Sequence, residues 1–179
     1  MAASIATRTG DDGRTRLIYG QRVSKSHPRI EAVGAFDELN VALGVAKANC
    51  AVQSRRNNLI ALQSDLIALM GEIACDPADA ARYASSNFPK VNEGTLARID
   101  ADIAAIEARN LRFDGWASPG ANPHSAALEM ARVTARRAER RLVALVDERG
   151  DAVRPLLLQI ANRLADLLWL MAREAEADA

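Results

Sequence analysis

The sequence predicts an all-α protein, a five-helix antiparallel bundle preceded by an irregular N-terminal arm. Apolar residues recur at helical spacing in five separate segments, and short polar connections join these segments. Residues 1–29 have no such period and are rich in Gly, Thr, Ser and charged side chains. We therefore expect a single domain over residues 1–179, with the arm at 1–29 and the bundle at 30–179.

Each predicted helix has one apolar face, because its apolar residues repeat every three or four positions. The five faces, in chain order, are Ala32, Phe36, Leu39, Leu43 and Ala46; Leu59, Leu62, Leu66, Leu69 and Ile73; Leu96, Ile99, Ile103 and Ile106; Leu128, Ala131, Ala135, Ala138, Leu142 and Leu145; Ile160, Leu164, Leu167 and Met171. Gly150 is a stop signal for the fourth helix, and Pro155 suits the first turn of the fifth. Residues 110–124 contain two Gly and two Pro, which predicts an ordered loop.

The composition gives no sign of nucleic acid or anionic membrane as a partner, because 23 basic residues balance 23 acidic ones. Cys50 and Cys75 are too few for a disulfide scaffold, and we interpret both as buried apolar residues. The opening residues lack the apolar core of a secretion signal, and no later stretch is apolar for long enough to span a bilayer. We expect a soluble, cytoplasmic protein.

The first candidate for chemistry is the segment at residues 7–15, which reads Thr-Arg-Thr-Gly-Asp-Asp-Gly-Arg-Thr. Its glycines permit unusual backbone angles, and its N–H groups, hydroxyls and arginines, together with Lys25, can bind phosphate oxygens. An aspartate there can hold Mg²⁺ directly or through water. The segment is neither a P-loop nor an EF-hand loop, and taken alone it is better explained as a solvated tail.

The second candidate is the arginine-rich stretch at residues 132–141, which holds five arginines and one glutamate. Arg132, Arg136 and Glu139 share one helix face, and Arg137 and Arg141 form a neighbouring row. The excess positive charge predicts partners outside the stretch, and Asp37 on the first helix is a plausible one. Arginine suits multidentate phosphate binding, although a solvated charged face explains the stretch as well.

On the last helix, Asn162, Asp166 and Trp169 are spaced so that they line one side. Trp169 alone is better explained as a core residue. His27 and His124 are isolated and each lies next to a proline, so we predict no protein-bound metal site that uses histidine.

Taken in order, these pieces resemble the trimeric cobalamin adenosyltransferases of the propanediol-utilisation type. The motifs are Thr-Arg-Thr-Gly-Asp-Asp-Gly from residue 7, Pro28-Arg29, Val33-Gly34, Asp-Glu-Leu-Asn at 37–40, Arg-Arg-Ala-Glu-Arg-Arg at 136–141 and Asn162-Arg163-Leu164. The resemblance runs almost from end to end. It implies a ferritin-like five-helix bundle assembled as a homotrimer, with ATP and a corrinoid bound where adjacent subunits meet.

The resemblance also implies roles for individual residues. The triphosphate and its Mg²⁺ would be held by Thr7, Arg8, Thr9, Gly10, Asp11, Asp12, Gly13, Thr15 and Lys25. The rest of ATP would be held by Arg136, Arg137, Glu139, Arg140 and Asn162. Asp37 would pair across the subunit interface with Arg132 or Arg136, and those two arginines would order the site around ATP and corrinoid.

The chain departs from this family's pattern in the loop before the fourth helix. Many relatives read Phe-Ile-Leu-Pro-Gly-Gly there, whereas residues 116–121 read Trp-Ala-Ser-Pro-Gly-Ala. Trp116 would then replace the aromatic residue that faces the lower side of cobalt. The alternative is that Trp116 only anchors the loop by packing on the bundle.

The implied reaction moves the 5′-deoxyadenosyl group of ATP to cob(I)alamin and gives adenosylcobalamin and triphosphate. The substrates would be ATP and cobalamin, and a cobalamin reductase and an adenosylcobalamin-dependent enzyme are candidate partners. Two alternatives use the same residues: a helical ATP-hydrolysing or phosphotransfer protein, and an interaction module whose arginine face binds an acidic partner.

Overall fold

A computed structural model describes residue 6 and residues 8–112, 116–149 and 153–178, and confirms a mostly helical bundle. The long helices are α1 (Pro28–Ala48), α2 (Gln53–Ile73), α4 (Glu93–Glu107), α5 (Pro123–Arg149) and α6 (Pro155–Ala177). A short helix, α3 (Ala80–Ala84), follows a 3₁₀ turn at Pro77–Asp79. The arm contributes two strands, β1 (Arg14–Arg16) and β2 (Arg22–Ser24).

Four of the long helices, α1, α4, α5 and α6, begin at residues that satisfy the free N–H groups of the first turn or lack one. The His27 ring nitrogen Nδ1 accepts a hydrogen bond from the Arg29 N–H, which caps α1. Asn92 and Thr95 form a reciprocal capping box at the start of α4. α5 and α6 both begin with proline, whose missing N–H costs nothing in the first turn.

Long-range bonds fix the directions of the helices. α1 and α5 are antiparallel, because the Arg137 side chain contacts Glu38 whereas the His124 ring bonds to the Ala46 carbonyl. α5 and α6 are also antiparallel, since Arg173 near the end of α6 pairs with Glu129 near the start of α5. The chain reverses direction at each long helix, so α4 and α6 run parallel to one another.

The core consists of the predicted apolar faces. Every residue predicted on the first, second, fourth and fifth faces is buried, and on the third face Ile99 and Ile106 are buried while Leu96 and Ile103 are partly so. Burying a large aliphatic side chain stabilises a fold by roughly 1.5–3 kcal/mol, so these faces determine how the helices pack. Cys50 and Cys75 are both buried free thiols, as predicted.

The arm is more ordered than the sequence indicates. β1 and β2 pair antiparallel, with Thr15 opposite Val23, and the turn between them rests on the bundle. There the Ile18 N–H donates to the Ala74 carbonyl at 3.1 Å, and the Arg82 guanidinium lies 4.0 Å from the centre of the Tyr19 ring. Strands of three residues are too short to show a period of two, which explains why the sequence did not reveal this hairpin.

Within the described ranges, no single helix combines the length and apolar character needed to cross a membrane. Only α2 taken together with the segment Pro77–Ala84 meets those criteria, and these two pieces are bent by 103° relative to one another.

Candidate functional site

Most of the predicted phosphate-binding residues of the arm, although not Gly13, line one cavity of about 900 Å³. Its lining residues are Ala6, Arg8, Thr9, Gly10, Asp11, Asp12, Arg14, Thr15, Arg16, Arg22 and Lys25. Five of these side chains are cationic and two are anionic, so the cavity has an excess of positive charge. Sequence reasoning missed Arg16 and Arg22, because they join the cavity through the β1–β2 hairpin, which the sequence did not reveal. Thr7 lies outside the described residues.

The turn at residues 10–13 is held by its own hydrogen bonds. The Gly13 N–H donates to the Gly10 carbonyl at 3.2 Å, and Gly13 has a φ of +75°, which favours glycine. A Cβ added to Gly10 would lie 3.0 Å from the Lys25 Nζ atom, so glycine allows the ammonium group to approach this turn closely.

The two aspartates of the turn have different surroundings. The Asp12 carboxylate accepts from the Arg14 N–H at 3.1 Å and from Arg22 Nη2 at 2.8 and 3.0 Å. The Arg14 N–H, followed by the charge of Arg22, holds the pKa of the Asp12 carboxyl below its usual range. Asp11 has no recorded bond to any of the described residues, so its carboxylate is free to bind a ligand or ion.

The arginine-rich part of α5 finds partners on α1 that the sequence did not single out. Arg137 contacts the Glu38 carboxylate, and Arg141 Nε lies 4.0 Å from Glu31 Oε2. Glu31 and Glu38 are seven residues apart and therefore lie on one face of α1. The sequence predicted that the excess positive charge of this stretch needs acidic partners outside it. For Arg137 and Arg141 these partners lie on α1 of the same chain, and they are Glu38 and Glu31 rather than Asp37.

Arg132 belongs to a network that reaches the core. Its Nε donates to Glu129 at 2.6 Å, and Glu129 also accepts from Arg173 at 2.8 Å. Glu129 and Arg173 are buried, and a buried carboxylate needs this compensation because desolvation is costly. The pairing holds the Arg132 side chain in place while leaving its two terminal nitrogens for another acceptor.

Asp37 and Arg136 are both exposed, and neither has an ion-pair partner among the residues that the structure describes. The backbone carbonyl of Arg136 accepts from Arg140 Nη1 at 3.1 Å, whereas the Arg136 guanidinium has no recorded bond. The chain therefore presents an unpaired acid on α1 and an unpaired base on α5.

The predicted ATP-binding residues of α5 and α6 meet side by side. Asn162 Nδ2 donates to Glu139 Oε1 at 3.1 Å, and Asn162 Oδ1 accepts from Arg163 Nη1 at 3.0 Å. Asp166 and Trp169 line a smaller cavity of about 350 Å³ one and two turns further along α6. Trp169 is partly buried against the core and lies 5.8 Å from the Arg173 guanidinium, which agrees with a packing role.

Trp116 is fully exposed, with a relative accessibility of 101%. It lies in the connection between α4 and α5, where Gly120 has a φ of +112° that favours glycine. The alternative in which Trp116 anchors the loop by packing on the bundle does not fit this exposure.

The arm and the Trp116 connection lie at opposite ends of the bundle. The arm precedes α1 and contacts the end of α2, whereas His124, just after the connection, contacts Ala46 at the other end of α1. The 21 residues of α1 between them span about 30 Å. Among the described residues no cluster of three or more His, Cys, Asp or Glu side chains is arranged to hold a metal ion.

The chain belongs to the cobalamin adenosyltransferase family, whose sequence profile matches residues 5–175. It is 42% identical over 179 residues to the corrinoid adenosyltransferase PduO of Salmonella typhimurium, covering 98% of this chain and 51% of that protein. It is also 36% identical to a corrinoid adenosyltransferase of Citrobacter freundii, covering 96% of this chain and 94% of that one. The chain thus spans about half the length of the PduO relative.

Solved structures of this family share the fold. One is a PduO-type ATP:corrinoid adenosyltransferase from Lactobacillus reuteri, with alanine in place of a phenylalanine, complexed with cobalamin and ATP. Its TM-score is 0.86 at 31% identity, covering 97% of this chain and 94% of that one. Another variant of that enzyme, with lysine in place of an arginine, is complexed with ATP and has a TM-score of 0.85 at 29% identity, covering 97% of this chain and 94% of that one.

Proposed function

We propose that this protein transfers the 5′-deoxyadenosyl group of ATP to cob(I)alamin, giving adenosylcobalamin and triphosphate, in a homotrimer with its sites between subunits. The observation that carries this proposal is the cationic cavity of the arm, in a chain whose family binds both ATP and corrinoid. A cavity with several guanidinium groups, an ammonium group and N–H donors suits a triphosphate.

Within this cavity, Arg8, Thr9, Lys25 and the N–H groups of the glycine turn bind the phosphate oxygens. A bound Mg²⁺ would add charge neutralisation at the triphosphate. Asp11 is the carboxylate available to bind it, because Asp12 is already bonded to Arg22 and to the Arg14 N–H. Asp12 instead holds the shape of the turn.

The protein need not supply a nucleophile, because the cobalt of cob(I)alamin attacks C5′ of ATP directly. The bond between C5′ and the triphosphate oxygen breaks, and negative charge grows on the departing triphosphate. The arm cations, with Arg136 and Arg140 from α5, stabilise that charge. Glu139 and Asn162, which bond to one another, contact the remainder of ATP, and Trp116 keeps the lower face of cobalt free of a ligand.

A site shared between subunits accounts for how these residues can act together. The described residues that line the arm cavity all belong to residues 6–25, so α5 contributes none of them within one chain. The connection that carries Trp116 begins and ends at the other end of α1, a helix about 30 Å long. A transfer reaction needs its reacting atoms within a few ångströms, so in this proposal Trp116 reaches the arm cavity from a neighbouring chain.

The outer face of the α1–α5 pair is suited to subunit contact. Val41 and Val45 on α1 are 64% and 51% exposed, and Met130 and Val133 on α5 are 62% and 46% exposed. The antiparallel register places these four residues at similar heights, and Val41 lies one helical turn from Asp37. Exposed apolar side chains beside an unpaired carboxylate suggest an interface with an apolar centre and a charged rim.

The activity is tested by recording the corrinoid spectrum after chemically reduced cobalamin is mixed with protein and MgATP. We expect the spectrum of adenosylcobalamin and stoichiometric triphosphate. ATP turnover without corrinoid would instead indicate a hydrolase or phosphotransferase, and binding of neither ligand would indicate an interaction module.

The assembly is tested by light scattering of the wild type and of Met130→Glu. We expect a trimer that dissociates in the variant, because a charge in the apolar centre of an interface is strongly unfavourable. Ile67→Glu is the matched control, since Ile67 is 55% exposed on α2, away from the α1–α5 face. A wild-type monomer with full transferase activity would exclude the shared site.

The two aspartates of the arm are separated by Asp11→Asn and Asp12→Asn. We expect Asp11→Asn to raise the Mg²⁺ concentration needed for half-maximal activity. The conformation of the arm should not change, because Asp11 makes no bond to the described residues. Asp12→Asn should weaken ATP binding at every Mg²⁺ concentration, because it loosens the turn. The same Mg²⁺ dependence in Asp11→Asn and wild type would remove Asp11 from the metal site.

A further inference from the structure

A row of charged side chains runs from the interior to the surface between α5 and α6. The inner pair is Glu129 of α5 and Arg173 of α6, whose side chains are each 5% exposed, and Arg173 Nη2 donates to Glu129 Oε1 at 2.8 Å. Arg132 lies one turn after Glu129 and is 27% exposed, and its Nε donates to Glu129 Oε2 at 2.6 Å. Glu129 therefore connects a buried guanidinium to one that reaches the surface.

The two carboxylate oxygens of Glu129 are divided between the two arginines. A carboxylate that faces a single arginine can accept two parallel hydrogen bonds from it. Because Arg173 already occupies Oε1, Arg132 is bound through its Nε alone. Among the described residues no bond to Nη1 or Nη2 of Arg132 is recorded, so both of these groups can bind a further acceptor.

The orientation of Arg132 depends on this one carboxylate. Glu129 is its partner in the described part of the chain, and a long arginine side chain without a partner samples many rotamers. Arg173 is held from its other side as well, since its Nη1 lies 2.9 Å from Glu176 Oε2 and its guanidinium lies 5.8 Å from the Trp169 ring. Glu129 thus transmits the fixed position of a core arginine to a surface arginine.

The geometry points to Glu129 as a positioning residue for the transfer reaction: it holds the Nε edge of Arg132 and leaves the two Nη groups for the site between subunits. This role rests on the proposed function, with Arg132 ordering the shared site. Arg132 borders the outer face of the α1–α5 pair, because its neighbours Met130 and Val133 are exposed there. Arg173 assists, since its loss would free Oε1 to bind Arg132 a second time and withdraw an Nη group.

The inner pair can be removed in a way that separates positioning from stability. Replacing a buried ion pair with apolar residues of similar volume is often neutral for stability, whereas removing one partner is not. Glu129→Met/Arg173→Met is such a replacement, and the charges that it leaves behind on Arg132 and Glu176 are partly exposed. Asp65→Met/Arg98→Met is the matched control, because that pair joins α2 to α4 and involves no residue of α5 or α6.

The hold on Arg132 is measured by the solvent exchange of its Nε–H proton in ¹⁵N NMR, with the signal assigned by its loss in Arg132→Lys. We expect slow exchange in the wild type, because this proton is bonded to a buried carboxylate. Exchange should be at least about tenfold faster in Glu129→Met/Arg173→Met and unchanged in the control.

The effect on the reaction is measured as kcat/KM for adenosyl transfer. Glu129→Met/Arg173→Met should lower it roughly 10–100-fold while the thermal midpoint changes little, and the control should keep the wild-type rate. Arg132→Ala should lower it at least as much. Adding Arg132→Ala to the double variant should cause no further loss, because all three side chains act through one guanidinium.

Independent losses that multiply in the triple variant would show that Glu129 does not act through Arg132 and would overturn the inference. A full rate in the double variant, an equal loss in the control, or unchanged Nε–H exchange would also overturn it. If the double variant does not fold, Glu129→Gln, which keeps the shape and removes the charge, is held to the same readouts. If the wild type transfers no adenosyl group, the proposed function fails, while the exchange still decides whether Glu129 holds Arg132.

Discussion

The two ends of the bundle differ in how their candidate site residues are surrounded. At one end the residues of the arm bond to one another around a cationic cavity. At the other end the connection between α4 and α5 is bonded to the end of α6, and its Trp116 side chain is exposed. The arm cavity is formed by a single stretch of chain, residues 6–25. Trp116 has no comparable surroundings within its own chain, because its side chain is fully exposed. The difference teaches that one chain forms the cationic cavity by itself, whereas the Trp116 side chain can become enclosed only when a ligand or a second chain covers it.

The largest expected effect comes from Asp37→Arg, which tests whether the two ends meet between subunits. If Asp37 lies at the proposed interface, replacing it with a base should dissociate the proposed trimer and reduce transfer by more than about 100-fold, because like charges across an interface cost several kcal/mol. Size-exclusion chromatography with light scattering measures the assembly. Glu107→Arg, an exposed charge reversal on α4, is the control.

Second-site changes identify the partner of Asp37. Combining Asp37→Arg with either Arg132→Asp or Arg136→Asp should restore assembly in only one of the two cases. Arg136 is the unpaired arginine, whereas Arg132 is held by Glu129 and has only its terminal nitrogens to offer. If Asp37→Arg does not change the assembly, the Asp37 carboxylate makes no essential contact between subunits.

The next effect is confined to the arm end. Lys25→Ala should weaken MgATP binding by roughly 10–100-fold, because a charged hydrogen bond is worth about 1.5–3 kcal/mol. Corrinoid binding should be unchanged. Lys47→Ala is the control, since Lys47 lies at the other end of α1 and bonds to Gln63. Calorimetry measures MgATP binding and corrinoid binding separately for each variant. If Lys25→Ala binds MgATP as tightly as the wild type does, the arm is better interpreted as a solvated tail.

A smaller effect is confined to the opposite end. Trp116→Ala should slow transfer about tenfold and diminish the four-coordinate signal of cob(II)alamin in electron paramagnetic resonance with MgATP present. ATP affinity should not change. Trp116→Phe should retain most of the signal, because the phenyl ring preserves a flat apolar surface. Full signal and rate in Trp116→Ala would mean that another residue excludes the lower ligand.

The smallest expected effect is on folding stability, and it comes from His124, which lies at the same end of the bundle as the Trp116 connection. Burial lowers the pKa of His124, and the charge of Arg55 acts in the same direction. The unfolded chain therefore binds more protons, so stability is full above about pH 6.5 and falls as the pH decreases toward the folded pKa. The thermal midpoint should drop by a few degrees between pH 7 and pH 5, at about 2–4 °C per kcal/mol.

His124→Gln should flatten this pH dependence over the same range, since the amide can donate to the Ala46 carbonyl without titrating. Cys50→Ala, a buried change near the same end of the bundle, should lower the midpoint at both pH values equally. If the thermal midpoint of His124→Gln still falls between pH 7 and pH 5, titratable groups other than His124 cause the pH dependence.

The sequence alone determined the helical bundle and the residue types of the site. The apolar face of α1, from Ala32 to Ala46, is visible because a helix repeats every 3.6 residues, and that period is a local property of the chain. The arm was identifiable as a phosphate-binding candidate because glycines, threonines and arginines occur together within nine residues. Pro155 similarly marked the first turn of α6, and the prolines and glycines of residues 110–124 marked the connection before α5.

Only the tertiary structure decided which of these residues are partners. Asp37 and Glu38 are neighbours in sequence, yet Glu38 contacts Arg137 while Asp37 faces outward, because successive helical residues differ by about 100° around the axis. The separation of the arm from Trp116, and the anchoring of Arg109 by residues more than 60 positions later, depend on how whole helices pack. Packing of this kind joins distant parts of the chain, so no local pattern can encode it.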